Sequence, residues 1–297
     1  MLDKVLPTVI ALGYFDSVHL GHQRVISQAK AFADANGCSL TVFTFLGNVK
    51  DVLMGRKESS VYLPTEREKI IKAFGADEIY FAPITKEFLS LDKKVFLDNL
   101  NQKFNIKGYV SGIDYTFGAF GKGNVEYLTE YARANNQKHI VVDTLSIDGQ
   151  KVSTTLIKQL LENGEIKKAN ALLGRNYSIS GVVKKDRQVG KKLGFPTANV
   201  ILNNQKFSIK NGVYSGVVEV DKKPYKSIIN YGARPTFNLE EKLVEAHLIG
   251  FDGNLYGKEI EVQFLDYIRD IKKFDSAEEL IEQLNKDTQM TKGENND

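Results

Sequence analysis

Cysteine is nearly absent: Cys38 stands alone among 297 residues. One thiol excludes an internal disulfide and any zinc site built on cysteines. It leaves Cys38 as a small apolar filler. No apolar run is long enough to span a bilayer. The opening Met1-Leu2-Asp3-Lys4 leads into a strand without the charged-then-apolar pattern of a signal peptide. The expected compartment is the cytoplasm. Excess charge is scarce as well. Forty Lys and Arg against 37 Asp and Glu leave +3, too mild to point to nucleic acid or a membrane surface. There is no internal repeat and no low-complexity linker, and nothing in the sequence fixes an oligomeric state. What remains is ordinary core material. With 42% hydrophobic and 26% charged residues, a chain of this length can build two domains with separate cores.

The chain has only four histidines, and two of them fall in one turn. Thr8-Val9-Ile10-Ala11-Leu12 is an apolar run of strand length, broken at Gly13. His19 and His22 follow, with Gly21 between them. Then Val25, Ile26, Ala29 and Ala33 recur at helical spacing. The pattern predicts a strand, a glycine turn, a histidine pair and a helix. In α/β proteins a ligand binds at that place, outside the carboxyl end of a strand beside a helix N-terminus. Two imidazoles at a helix head are compact donors, and the helix dipole favours an anion there. Gly21 lacks a Cβ and lets a phosphate approach the backbone. On spacing alone, a pair of surface histidines at a helix start fits too.

Strands expected at Ser39–Phe45, Asp77–Ala82, Tyr109–Ser111 and His139–Asp143 alternate with helices expected at Thr65–Phe74, Lys93–Lys103 and Val125–Asn135. For the first of these helices, Thr65 and Glu68 make a capping-box pattern. The alternation predicts a doubly wound parallel sheet. Two further segments belong to the same sheet end. A glycine-rich loop, Gly112-Ile113-Asp114-Tyr115-Thr116-Phe117-Gly118, follows one strand and suits a planar ligand. Ser153, Thr154 and Thr155 open a helix with hydroxyls that cap it or hold phosphate oxygens. Each also reads as plain loop or cap.

From Tyr177 the texture changes. Strand-like runs at Tyr177–Val183, Val213–Val220, Tyr225–Asn230, Leu243–Ile249 and Glu259–Phe264 have few helices among them. They predict a small antiparallel β-barrel, closed by a terminal α-helix from Ser276. Met290 to Asp297 is expected to be disordered. The boundary is placed at Arg175/Asn176, giving domains 1–175 and 176–297. Within the second, Gly190-Lys191-Lys192-Leu193-Gly194-Phe195-Pro196-Thr197-Ala198-Asn199 joins glycines, lysines and a proline turn into a phosphate-compatible loop. Thr197 and Asn199 are hard oxygen ligands of the kind that Mg²⁺ accepts.

Two of these strings resemble a known family. Gly13-Tyr14-Phe15-Asp16-Ser17-Val18-His19-Leu20-Gly21-His22 is similar to the H-x-G-H nucleotidyltransferase signature, and Leu193-Gly194-Phe195-Pro196-Thr197-Ala198-Asn199 to the riboflavin kinase signature. Together they resemble the bacterial bifunctional riboflavin kinase/FAD synthetases. Asn230-Tyr231-Gly232-Ala233-Arg234-Pro235-Thr236-Phe237, Val244-Glu245-Ala246-His247-Leu248 and Phe274-Asp275-Ser276 extend the likeness. The resemblance implies ATP as co-substrate, Mg²⁺ as cofactor, and riboflavin and FMN as partners. It implies that Gly13, Phe15, Asp16, His19, Gly21, His22, Ser153, Thr154, Thr155 and Lys158 bind ATP for adenylyl transfer. Gly112, Asp114, Tyr115 and Phe117 would form a flavin or nucleotide loop. Gly190, Lys191, Gly194, Pro196, Thr197 and Asn199 would bind ATP for the kinase, with Thr197 and Asn199 at the metal and Glu245 as general base. This sequence departs from the family at Tyr115, where Phe is usual, and at Gly121 and Asn124. Lys158 replaces an Arg, and Leu46-Gly47-Asn48-Val49 replaces a Pro-His-Pro segment. A chain with one degenerate half, or a flavin-binding regulator without turnover, stands as the alternative.

Overall fold

The computed structural model describes residues 6–47, 52, 59–185, 195–203, 205–233 and 242–293. The chain divides into two compact units, Met1–Thr154 and Thr155–Asp297.

The first unit is built on five parallel strands. They are β1 (Thr8–Leu12), β2 (Ser39–Leu46), β3 (Glu78–Pro83), β4 (Ile106–Gly112) and β5 (Lys138–Val142), in the order β3-β2-β1-β4-β5. The order reverses between β1 and β4, which opens a crevice at their carboxyl ends. β1 lies at the centre and is buried throughout, as its unbroken apolar run requires. Alternate residues serve opposite faces. Val9 and Ala11 pack with Val25, Ile26, Ala29 and Ala33 of α1 (Leu20–Ala35). Ile10 and Leu12 pack with Phe96, Leu97 and Leu100 of a helix at Lys93–Lys103, and with Leu128 and Ala132 of one at Val125–Ala134. Burying each large apolar side chain there contributes about 1.5–3 kcal/mol.

One cap is corrected. Helix α2 runs from Pro64 to Ala73, with Leu63 at its N-cap, so Thr65 lies inside it. Pro64 presets the helical φ at the first position. The returning carboxylate is Glu66, whose Oε2 accepts the Leu63 N–H at 2.7 Å, rather than Glu68. A short α3 (Lys86–Leu89) precedes the helices at Lys93–Lys103 (α4) and Val125–Ala134 (α5). After β5 comes a hairpin, β6 (Ser146–Ile147) and β7 (Gln150–Lys151). It turns on Asp148 and Gly149, both at positive φ, as a two-residue hairpin demands.

Helix α6 (Thr154–Asn163) starts at the unit boundary, and α7 (Ile166–Leu173) ends on Gly174 in the left-handed region. Six antiparallel strands then close a barrel: β8 (Tyr177–Lys184), β9 (Ala198–Ile201), β10 (Gly212–Val220), β11 (Lys223–Ala233), β12 (Lys242–Leu248) and β13 (Glu259–Arg269). Their order is β10-β11-β12-β9-β8-β13. Tyr214, Ile229, Val244, Ala246, Val262 and Phe264 are fully buried in the barrel core. Their alternates on β10, β11 and β12 face away from it. The last helix, α8 (Ala277–Gly293), runs past Met290, so residues 290–293 are ordered as helix where disorder was expected. The reason is a buried anchor. The Arg269 guanidinium grips Asp287 through Nη2 at 2.7 Å, and the Thr291 hydroxyl, buried one turn on, donates to the Asp287 carbonyl. That polar stretch is therefore tied to the barrel.

Candidate active sites

The crevice at the ends of β1 and β4 is a cavity of about 690 Å³. The β1–α1 segment lines it with Gly13, Phe15, His19, Gly21 and His22. The loop after β4 adds Gly112, Asp114, Tyr115 and Phe117, and the approach to α6 adds Ser153 and Thr154. His19 is the N-cap of α1: its Nδ1 accepts the His22 N–H at 3.1 Å. That acceptor role leaves the proton of a neutral His19 on Nε2. The two imidazoles stack at 3.7 Å, and Phe15 meets His22 edge-on. Two glycines are needed for this. A Cβ at Gly13 would lie 2.6 Å from the Phe15 ring, and one at Gly21 would crowd the His19 ring at 3.1 Å. Phe15 and Val18 both take positive φ. That is a genuine outlier for β-branched Val18 and is common where a site stores strain.

Polar groups beneath the cavity hold this loop in shape. The Tyr14 carbonyl accepts from Thr44 Oγ1 at 2.7 Å and from Arg67 Nη1 at 3.3 Å, and Arg67 Nη2 also donates to the Phe45 carbonyl. Arg67 is buried, and desolvation lowers its pKa against the opposing pull of Asp16. Asp16 does not line the cavity. It is buried and accepts the Val61 N–H at 3.0 Å. Ser17 Oγ meets Thr154 Oγ1 at 2.9 Å, tying the loop to the first residue of α6. Asp114 pairs with Lys151 at 2.6 Å, and both line the cavity. The Tyr115 hydroxyl is buried without a hydrogen-bond partner among the described residues. Burial raises its pKa further above the usual tyrosine value. Thr155 and Lys158 fall in the second compact unit, where the Lys158 ammonium lies 5.2 Å from the centre of the Phe207 ring.

The barrel carries a second cavity, of about 320 Å³, on the outer side of β11 and β12 beneath Leu280 and Leu284 of α8. Beside it runs a polar rung across three strands, of which Asn230 and Glu245 line the cavity and Asn199 does not. Glu245 of β12 is in register with Asn230 of β11 on one side and Asn199 of β9 on the other. Asn230 Nδ2 donates to Glu245 Oε2 at 3.2 Å. The Oδ1 atoms of Asn199 and Asn230 are both buried without a partner among the described residues. Buried oxygens of this kind call for a donor or a cation. Thr197 lines the same cavity, as does His247. His247 Nδ1 donates to the Pro196 carbonyl at 2.9 Å. Burial pushes its pKa down, and that carbonyl pulls it partly back. Gly190, Lys191 and Gly194 lie outside the described residues.

A family model for FAD synthetase matches residues 3–156, and one for riboflavin kinase matches residues 173–294. The chain is 36% identical over 292 residues to the bifunctional riboflavin kinase/FMN adenylyltransferase of Bacillus subtilis, covering 97% of this chain and 92% of that one. The chain belongs to this family. The bifunctional enzyme of Listeria monocytogenes is 34% identical, with 96% and 91% of the two chains covered. A solved structure from Streptococcus pneumoniae, described as a macrolide-efflux protein, is 32% identical with a TM-score of 0.89. It covers 98% of this chain and 95% of its own. No helix among the described residues is long and apolar enough to cross a membrane.

Sequence reasoning missed three parts of these sites. Arg67, Thr44 and Asn230 support or complete them without standing out by type. Of the three, only Asn230 carried a signal, since it lies inside one of the motif strings.

Proposed function

We propose that the barrel transfers the γ-phosphoryl group of ATP to the 5′-hydroxyl of riboflavin, and that the N-terminal unit transfers AMP from a second ATP to the FMN so formed. The observation that supports this best is the tandem of a histidine pair at a sheet switch point and an Asn–Glu–Asn rung on a barrel, in a chain matched by both family models. We place the functional division at Arg175/Asn176, near residue 173, where the riboflavin kinase match starts. We place both steps in the cytoplasm, where ATP is abundant.

In the first step Glu245 accepts the proton of the riboflavin 5′-hydroxyl as its oxygen bonds to the γ-phosphorus and ADP departs. Asn230 orients the carboxylate. Asn199 Oδ1, buried and without a partner among the described residues, and the Thr197 hydroxyl fit a Mg²⁺ ion. When bound, that ion neutralises charge on the transferring phosphoryl group. In the second step an oxygen of the FMN phosphate bonds to the α-phosphorus of ATP and pyrophosphate leaves. No proton has to be removed, because the nucleophile is already an anion. His19 and His22 act as donors to the phosphoryl oxygens, aided by Ser153 and Thr154. The test is the purified chain with riboflavin, ATP and Mg²⁺, its flavins resolved by chromatography. FMN followed by FAD is expected. FMN alone would remove the second activity, and unchanged riboflavin would remove both.

A further inference from the structure

The loop that follows β4 presents a side chain that neither transfer step uses. Phe120 is 95% exposed, yet its position lines the N-terminal cavity. One exposed apolar side chain means little by itself. Here three features combine. First, Phe120 sits at φ +56, in the left-handed region that a residue with a Cβ enters at a cost. Second, the turn that carries it is tied down on every side. Phe117 and Gly123 exchange backbone hydrogen bonds at 3.0 and 2.9 Å, Ala119 N–H donates to the Leu91 carbonyl at 2.7 Å, and Gly121 N–H donates to Gly118. Gly118 seats the turn so closely on α4 that a Cβ there would lie 2.8 Å from the Lys93 Cα. The ring is thus held in water by a built turn, not by a loose end. Third, the cavity is divided by chemistry. The histidine pair and the hydroxyls of Ser153 and Thr154 suit phosphates, while Phe45, Phe88 and Phe96 give an apolar wall.

We propose that Phe120 is a face on which the isoalloxazine ring of FMN stacks in the N-terminal cavity, making it a specificity residue for the flavin. The inference rests on the adenylyltransferase reading. A phenyl ring offers no hydrogen bond, so it selects for area, and the three fused rings of a flavin offer more of it than adenine does. The Lys122 ammonium lies 5.9 Å from the centre of the Phe120 ring, at the same rim of the cavity. A bound flavin would cover the ring and offset both its exposure and its backbone strain.

The experiment is steady-state FAD formation from FMN and ATP by the full chain, comparing wild type with Phe120→Ala and Phe120→Tyr. Loss of one aromatic stacking face should raise the KM for FMN about tenfold. KM for ATP and kcat should stay within about twofold, and Phe120→Tyr should restore the KM for FMN. FMN formation from riboflavin should be unchanged in both variants, which reports on folding. An unmoved KM for FMN in Phe120→Ala overturns the inference. So does a rise confined to ATP, which would put adenine on the ring, or a fall in kcat that Phe120→Tyr shares, which would make the turn merely structural. Wild type that makes no FAD would overturn the adenylyltransferase reading itself, and this inference with it. Wild-type turnover with an unmoved KM overturns this inference alone.

Discussion

The two cavities treat their carboxylates in opposite ways. In the N-terminal unit Asp16 is committed to the Val61 N–H beside the buried Arg67, and Asp114 to Lys151. In the barrel Glu245 faces amides, with Asn230 donating to it and Asn199 opposite in register. The chemistry proposed for each unit accounts for the difference. A sugar-like hydroxyl has a proton to lose, so the kinase cavity needs a carboxylate able to take it. A phosphate nucleophile has none, so the other cavity needs donors, and its acids can serve as supports. The same reaction class, displacement at phosphorus, therefore produces two unlike sites in one chain.

The sharpest way to break this contrast is Glu245→Gln. The amide keeps the shape and abolishes the base. FMN formation should fall about 10²–10⁴-fold, while FAD formation from supplied FMN should persist. Riboflavin turnover measured by chromatography decides it. A correctly folded variant with near-normal kinase activity would leave positioning alone to drive the transfer. Second in size is His22→Ala. Removing one preorganised donor should cut FAD formation about 10²–10³-fold and spare FMN formation. Equal loss of both activities would mean that the contrast between the sites is not one of separate machinery.

Much of the lining of the N-terminal cavity was readable in the sequence because it is local. Gly13, Phe15, His19, Gly21 and His22 span ten residues, and one strand-to-helix turn brings them together. The barrel rung is lateral. Asn199, Asn230 and Glu245 meet only because β9, β12 and β11 pair in a given register, and spacing along the chain does not encode that. β9 itself was overlooked, being four residues long. Arg67 escaped notice for another reason. A charged residue on a helix reads as solvated, and only the fold reveals that the loop's carbonyls surround it.

A third outcome is a slope with pH rather than a step in rate. His139 lies between β4 and α5, with Ser111 Oγ at 3.0 Å from Nε2 and Thr129 Oγ1 at 2.9 Å from Nδ1. Burial lowers its pKa to about 4. The unfolded chain, near the ordinary 6.5, binds the proton more readily than the folded one. Stability contributed by the neutral ring is thus complete above about pH 6.5 and drains away as pH falls toward 4. His139→Gln should flatten the decline in thermal midpoint between pH 7 and 5 relative to wild type. An identical decline in both proteins would assign the acid sensitivity elsewhere.

The smallest expected effect bears on where the two units divide. Helix α6 gives its first residue, Thr154, to the N-terminal cavity, while Lys158, one turn on, lies against Phe207 of the second unit. The family likeness would make Lys158 a phosphate contact for adenylyl transfer. An ammonium is a point charge, whereas a guanidinium can bind two phosphate oxygens at once. A guanidinium also packs well over an aromatic ring, so Lys158→Arg should be tolerated beside Phe207. If Lys158 serves the transfer, the variant should lower the KM for ATP in FAD formation by a few-fold, about 1 kcal/mol or less. Its kinase constants should not move. Unchanged kinetics in both assays would give the helix beyond Thr154 to the second unit, in function as in packing. A several-fold loss of FAD formation alone would keep Lys158 in the first site, with surroundings too closely fitted to the ammonium to accept the larger group.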